Sequence, residues 1–383
     1  MQHPPRRPIR ILNAIKSLNR GGIETGLLRI LEQIDRDQFQ LDYLVHVQHP
    51  CDLEQDVKNL GAKVIRPRCE PVHMFWYQNE FRRVLKENPP YDVVHSHMYD
   101  VSAFILGLAK RNGIPLRIAH SHSDSRRDPS HGSMRRSLRP LVRASLQAFA
   151  TDRLACDYES GVSLFGTNFM TKPSDRILHA GIDLSTYADQ QPNGLLRTAI
   201  LGNESSLVIG HVGRFTAAKN HQFLIHVVQA CKQYVPDVKC VLVGVGPLQP
   251  SIQAQISLLG LEDHFVFTGL RSDIPEILTS AFDVFVFPSL YEGLPLALVE
   301  AQSAGLPCVI SDNITSEAQI VPSLTKRLSL DAPPDTWAQA VLSLSKHGRK
   351  RKEALSHIQR TDFNIEVCVE TLSKLYSRYS DDQ

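Results

Sequence analysis

Short apolar runs alternate with stretches of helical periodicity along almost the whole chain, and this alternation restricts the fold more than any other feature. Residues 9–15 (IRILNAI) read as a strand; Gly21 and Gly22 then turn into an apolar-periodic helix over residues 24–34. Residues 39–47, 92–97 and 117–122 read as further strands, with a helix over 101–110 between the last two. Strands regularly separated by helices form βαβ units, and so predict a parallel sheet covered on both faces.

The pattern pauses after His122 in a polar, basic segment interrupted by Pro129 and Gly132, then resumes as a helix over residues 138–149. Residues 192–202 carry proline and glycine at their ends and read as an interdomain linker. A second series follows, with strands over 207–214, 240–244, 265–269, 283–288 and 307–311. Helices are expected over 222–234, 250–259, 274–280 and 295–304, and a last one over 365–379. A chain of 383 residues exceeds one ordinary α/β core, so two doubly wound domains are expected, over residues 1–190 and 191–364.

Composition narrows the function classes. A net charge of +2 does not suggest a nucleic-acid binder. The seven cysteines include no C-x-x-C pair, and read as reduced, mostly buried thiols of a cytoplasmic protein. The basic start, MQHPPRRPIR, has no apolar run behind it, so a secretory leader is not expected. No segment approaches the roughly 20 apolar residues of a membrane span.

Ligands of open parallel sheets bind beyond the C-terminal strand ends, which directs attention to the residues just after each strand. Gly21 and Gly22 lie there, and glycine permits close backbone approach to a ligand beside a helix N-terminus. In GHVGRFTAAKN, Arg214 ends a strand and Lys219 arrives five residues later, so two cations flank a strand-to-helix turn. That pair suits a diphosphate; the alternative is two solvated surface cations. In FPSLYEGLPLALVEAQSAGLP, Glu292 lies in a loop, and Gly293, Leu294 and Pro295 open a helix carrying Leu296 and Glu300. The helix start leaves amides free for phosphate or sugar oxygens. A carboxylate beside them suits sugar or ribose hydroxyls; the alternative is a capping Glu292 with an exposed Glu300.

Two H-x-H pairs, His95/His97 and His120/His122, each fall on one face of a strand. They could form a metal site, but no cysteine or carboxylate cluster completes the set, so histidines lining a polar cleft are expected and no metal is. Arg126, Arg127, Arg135, Arg136, Arg139 and Arg143 form a basic stretch without interleaved aromatics. Nucleic acid is therefore not its expected partner; an anionic lipid surface or a phosphorylated acceptor is, against the alternative of a solvated helix face.

Together GGIETGLLRI, RIAHSHSD, GHVGRFTAAKN, VLVGVGP and EGLPLALVEAQSAGLP occur in the order seen in the retaining GT-B glycosyltransferases, family four. The resemblance covers nearly the whole chain, and RIAHSHSD and SDNITSEA look like the capsule and exopolysaccharide branch. It implies that Arg214 and Lys219 hold the donor diphosphate, and that Glu292 meets sugar hydroxyls beside the amides around Gly293, Leu294 and Leu296. It also implies that Glu300 binds the ribose, that Gly21 and Gly22 approach the phosphates, and that His120 sits beside the transferred sugar. The acceptor is expected around His97, His122, Arg126 and Arg127, and the helix of residues 365–383 to cross back to the first domain. Val245 and His179–Ala180 depart from the family's usual residues, in the hinge region and a neighbouring loop.

The expected activity is therefore transfer with retention from a nucleotide-sugar, UDP being favoured, to a saccharide or lipid-linked saccharide, without a metal cofactor. A nucleotide-sugar epimerase of the same architecture and a silent nucleotide-sugar-binding subunit are the alternatives. A cytoplasmic location is expected, with a peripheral position on the cytoplasmic membrane face as its variant.

Overall fold

A computed structural model describes residues 7–124, 133–188, 190–202 and 207–378, apart from the side chains of residues 133–136. The chain forms two compact units, Met1–Gly181 with Ile365–Gln383, and Ile182–Asn364. The first therefore ends at Gly181 rather than at residue 190.

The first unit holds one sheet of seven strands: β1 (Ile9–Ile15), β2 (Phe39–Val45), β3 (Val64–Ile65), β4 (Val93–Ser96), β5 (Leu116–Ser121), β6 (Asp152–Ala155) and β7 (Asp175–Ile177). Their order is β3-β2-β1-β4-β5-β6-β7, and every pairing is parallel. The second unit repeats the plan with β8 (Val208–Val212), β9 (Lys239–Val243), β10 (Phe265–Gly269), β11 (Val284–Phe287), β12 (Cys308–Ser311) and β13 (Thr325–Leu328), ordered β10-β9-β8-β11-β12-β13. In each sheet the winding reverses beside the first strand, between β1 and β4 and between β8 and β11. Side chains carried just beyond those strand ends face an open crevice.

Helices on both faces explain the apolar character of the strands. On one face of the first sheet, Ile11, Leu41 and Val93 pack with Leu27, Ile30 and Leu31 of the helix Gly22–Gln33. The last helix, Ile365–Ser377, adds Cys368, Leu372, Leu375 and Tyr376 to the same core. On the other face, Leu12, Leu44 and Val94 meet the helices Met74–Glu87, Ser102–Arg111 and Ser133–Phe149. One charge is buried inside this sheet: the Arg10 guanidinium lies 2.7 Å from Asp42, which also accepts the Tyr91 hydroxyl at 2.9 Å. The seven cysteines are unpaired, and five of them are buried.

Residues 192–202 are not a linker. Gly194–Leu201 is a helix whose Asn193 side chain accepts from the amides of Leu195 and Leu196, and Gly202 ends it at φ 73°. Arg197 pairs with Asp283 at 2.8 Å, so this segment is bound into the second unit. Its proline and glycine are the stop signals of a short helix.

Six buried histidines, His46, His95, His97, His120, His211 and His221, share one consequence. Burial pushes each below the ordinary imidazole value, His221 to about 4. The unfolded chain binds protons at these rings near pH 6.5 and the folded chain does not, so stability falls as pH drops below 6.5. Each ring loses at most about 2 kcal/mol between pH 6.5 and 5. The paired carboxylate Glu54, held down to about 2 chiefly by Arg66, stays charged across that window. Thermal unfolding midpoints should decline steadily from pH 6.5 to 5; an unchanged midpoint over that range would contradict neutral burial.

Candidate active site

In the second unit, β8 ends at Val212 and the backbone of Gly213 and Arg214 is drawn onto the neighbouring strand end. The amide of Gly213 donates to Val243 at 3.0 Å and that of Phe215 to Val245 at 3.1 Å. Gly244 and Gly246 make this possible: a Cβ on Gly244 would lie 2.2 Å from the Gly213 oxygen, and one on Gly246 2.5 Å from the Phe215 backbone. The glycines of VGVGP thus seat the loop that carries Arg214. The Arg214 side chain is exposed and makes no hydrogen bond or ion pair among the described residues.

Lys219 ends a single helical turn, Ala217–Lys219, just before the helix His221–Lys232. Its ammonium donates to the Glu292 carboxylate at 2.7 Å, with the side chains 17% and 12% exposed. It also lies over the Phe287 ring, 4.5 Å from the centroid. The amide of Leu290 donates to the Ala218 carbonyl at 2.8 Å, so the two loops are joined through backbone as well. Glu292 is therefore an ion-pair partner and not a helix cap. Glu300, on the helix Leu296–Ser303, is buried and not solvated. Among the described residues the amides of Gly293, Leu294 and Leu296 donate to no acceptor, leaving that helix start open to an anion or hydroxyl.

Beneath this loop lie two histidines that motif reading did not single out. His211 on β8 bonds the Val286 carbonyl through Nδ1 at 2.9 Å, and its ring is 4.8 Å from that of His221. Burial, then each other and Lys219, hold both rings neutral. A Cβ on Gly213 would lie 3.1 Å from the Lys219 side chain and 3.4 Å from His211 Nε2, so this glycine lets the lysine fold over its strand end.

In the first unit, parallel pairing of β4 with β5 brings both H-x-H pairs together. Ring centroids of His95 and His120 are 5.3 Å apart, those of His97 and His122 5.0 Å. His95 Nδ1 meets the Tyr376 hydroxyl at 2.9 Å, and His95 Nε2 shares a hydrogen with His120 Nδ1 at 3.2 Å. His97 Nδ1 meets His122 Nε2 at 2.8 Å, and His97 Nε2 meets Asn13 Oδ1 at 3.4 Å. Two buried polar atoms end these chains without a hydrogen bond, His120 Nε2 and Asn13 Nδ2. Burial, with the neighbouring rings, keeps the imidazoles neutral.

His95, His97 and His120 hold candidate ligand atoms within 4.8 Å of one another. A zinc sphere with bonds of about 2.0–2.1 Å needs them closer, so the rings would have to contract onto the ion. Asp124, though buried, does not join that group.

Gly21 is the extended residue before the helix Gly22–Gln33, and neither glycine of the pair has positive φ. A Cβ on Gly21 would lie 2.6 Å from the Glu24 carboxylate, so the helix start already carries an anion. Arg126 and Arg127 lie outside the described residues, as do the side chains of Arg135 and Arg136. Arg143 binds the carbonyls of Val162 and Ser163 at 3.3 and 3.1 Å and is occupied within the fold.

Two family profiles match the chain: "Glycosyltransferase Family 4" over residues 20–157 and "Glycosyl transferases group 1" over residues 196–360. The glycosyltransferase EpsF of Bacillus subtilis (strain 168) is 33% identical over 374 residues, covering 96% of both chains. The capsular polysaccharide biosynthesis glycosyltransferase CapH of Staphylococcus aureus is 23% identical, covering 96% of this chain and 98% of its own. Among solved structures, Anabaena HepE in complex with UDP superposes with a TM-score of 0.77 at 20% identity, over 96% of this chain and all of that one. WaaG, involved in lipopolysaccharide biosynthesis, gives 0.73 at 16% identity, over 97% and 100%. With this likeness over both halves, the chain belongs to the group 1, family 4 glycosyltransferases and has their GT-B fold.

Proposed function

We propose that this glycosyltransferase moves a sugar, with retention, from a nucleoside-diphosphate donor to a saccharide or lipid-linked saccharide in cell-surface polysaccharide assembly. The observation that carries the reading is the Lys219–Glu292 ion pair at an open helix start, with Arg214 unpaired beside the same strand end. A diphosphate recruits Arg214 and Lys219; Glu292, released from the lysine, accepts hydroxyls of the donor sugar. Glu300 takes the ribose, and the amides of Gly293, Leu294 and Leu296 take sugar and phosphate oxygens. Charge growing on the leaving diphosphate is met by two cations and a helix N-terminus, so no metal is required. Front-face substitution is favoured, with the leaving phosphate helping to take the acceptor proton.

UDP is the favoured carrier. HepE has been crystallised with UDP and with UDP-glucose. An Escherichia coli relative, 28% identical over 76% of each chain, is a UDP-Gal:alpha-D-GlcNAc-diphosphoundecaprenol alpha-1,3-galactosyltransferase. CapH adds the capsule context by its name. His120 is assigned to the donor sugar and His97 and His122 to the acceptor, with Gly21 and Gly22 near the phosphates. Arg126, Arg127 and the rest of the basic stretch are assigned to an anionic acceptor or membrane surface. No helix among the described residues is long and apolar enough to cross a membrane, and a peripheral position on the cytoplasmic face fits a lipid-linked acceptor.

A panel of nucleotide-sugars should give nucleotide release and product with one donor, unchanged by EDTA. Proton NMR of the product should show the donor's anomeric configuration; an inverted product, or activity abolished by EDTA and restored by a divalent ion, would contradict the mechanism. Lys219→Ala and Glu292→Gln should each lower kcat by roughly 10²–10³-fold. Tyr376→Phe tests the chain of rings behind His120. It leaves His95 Nδ1 without its partner, and should lower kcat about 10-fold with donor KM unchanged. A Tyr376→Phe enzyme with parental kcat would remove the tyrosine from the account.

A further inference from the structure

The helix Met74–Glu87 buries Tyr77, Phe81 and Val84 in the first unit's core. The turn before and at its start does the opposite. Val72 is 74% exposed, Met74 55%, Phe75 83% and Trp76 72%, and the first helical turn carries no acidic residue. Consecutive residues point about 100° apart around a helix. These four side chains therefore radiate from a tip and do not form one flat stripe. A flat protein partner covers a stripe; a tip of mixed aliphatic and aromatic groups is covered by a medium that closes around it. Tryptophan and phenylalanine are the side chains favoured where hydrocarbon meets headgroups.

Topology gives the tip a charged neighbour. The helices Met74–Glu87 and Ser133–Phe149 share one core cluster, so they lie on the same face of the sheet. Each leads from one parallel strand to the next, so both start at the edge where the strands end. At that edge Ser133–Phe149 carries Leu138 and Leu141, 49% and 65% exposed, with Arg139 between them and no acidic residue in its first turn. His97 and His120 lie at the same edge, at the ends of β4 and β5.

We infer that Val72, Met74, Phe75 and Trp76 form an apolar tip that inserts into the surface of a phospholipid bilayer, with Leu138, Arg139 and Leu141 resting on the anionic headgroups beside it. This deepens the lipid-linked acceptor reading and rests on it for the choice of a bilayer as the occupant. A tip embedded at the edge that carries His97 and His120 holds those groups near the depth at which a lipid-linked saccharide leaves the membrane.

The chain carries its own reporter. It has two tryptophans, and Trp337 is fully buried with Nε1 bonded to the Ser329 carbonyl at 3.0 Å, so a change on lipid addition reports Trp76. With the full chain and vesicles of phosphatidylglycerol and phosphatidylethanolamine, tryptophan emission should shift to the blue. Lipids brominated in the acyl chain should quench it. The double variant Met74→Ser with Phe75→Ser keeps Trp76, and should bind vesicles at least 10-fold more weakly in sedimentation while turning over a short soluble acceptor like the parent. Emission unchanged by vesicles, or equal vesicle binding by the variant, overturns the inference. So does a blue shift that appears without lipid as protein concentration rises, which would make the tip a contact between copies. If lipid-linked acceptor is used while Trp76 stays in water, the tip fails and the acceptor reading stands. If Trp76 embeds but only soluble acceptors react, the acceptor reading fails and the tip stands.

Discussion

The ion pair between Lys219 and Glu292, 73 residues apart in sequence, holds together the two loops on which the second unit's chemistry depends. Its charges are compensated at 2.7 Å in a largely buried place, and the Phe287 ring beneath the ammonium adds a cation–π contact. The pair fixes where a cation, a carboxylate and a helix start stand relative to one another. Arg214 remains as a cation with no protein partner, carried by backbone that Gly244 and Gly246 allow to pack without side chains between. In the proposed reaction the diphosphate takes over the role that Glu292 plays toward Lys219, so the loops are already close to their working geometry.

The first unit applies a different principle. Four imidazoles gather where β4 and β5 end, and burial strips them of charge. Neutral rings can both donate and accept, so each chain of hydrogen bonds has a direction set by its far end. One chain begins at Tyr376 in the last helix and ends at the unbonded Nε2 of His120. The other runs from His122 through His97 to Asn13, whose Nδ2 is likewise unbonded. Leaving buried polar atoms unbonded costs stability. Here the two atoms are the groups proposed to meet sugar hydroxyls.

Most of the frame was legible because it rests on local pattern. The strand of residues 9–15 and the helix of residues 274–280 fall where apolar periodicity puts them. Arg214, Lys219, Glu292 and both H-x-H pairs could be picked out because strand ends and helix starts are where a parallel sheet collects its chemistry. What escaped depends on contacts distant in sequence. Nothing local marks Asn13 or Tyr376 as partners of histidines 84 and 281 residues away. His211 looked like an ordinary strand residue. Residues 192–202 misled because proline and glycine mark a chain break and a capped short helix alike, and only the Arg197–Asp283 pair and the Asn193 cap distinguish them. The tip at Val72–Trp76 was missed because apolar residues at a helix start read as core until their exposure is known.

The central claim is that Arg214 and Lys219 together hold the donor's diphosphate. Calorimetric titration of UDP into the parent, Arg214→Ala, Lys219→Ala and the double variant tests it directly. The account predicts that each single change weakens binding about 10-fold or more, and that their combined loss departs from the sum of the two, as expected of groups sharing one ligand. Parental affinity in both single variants would place the diphosphate elsewhere and contradict the assignment.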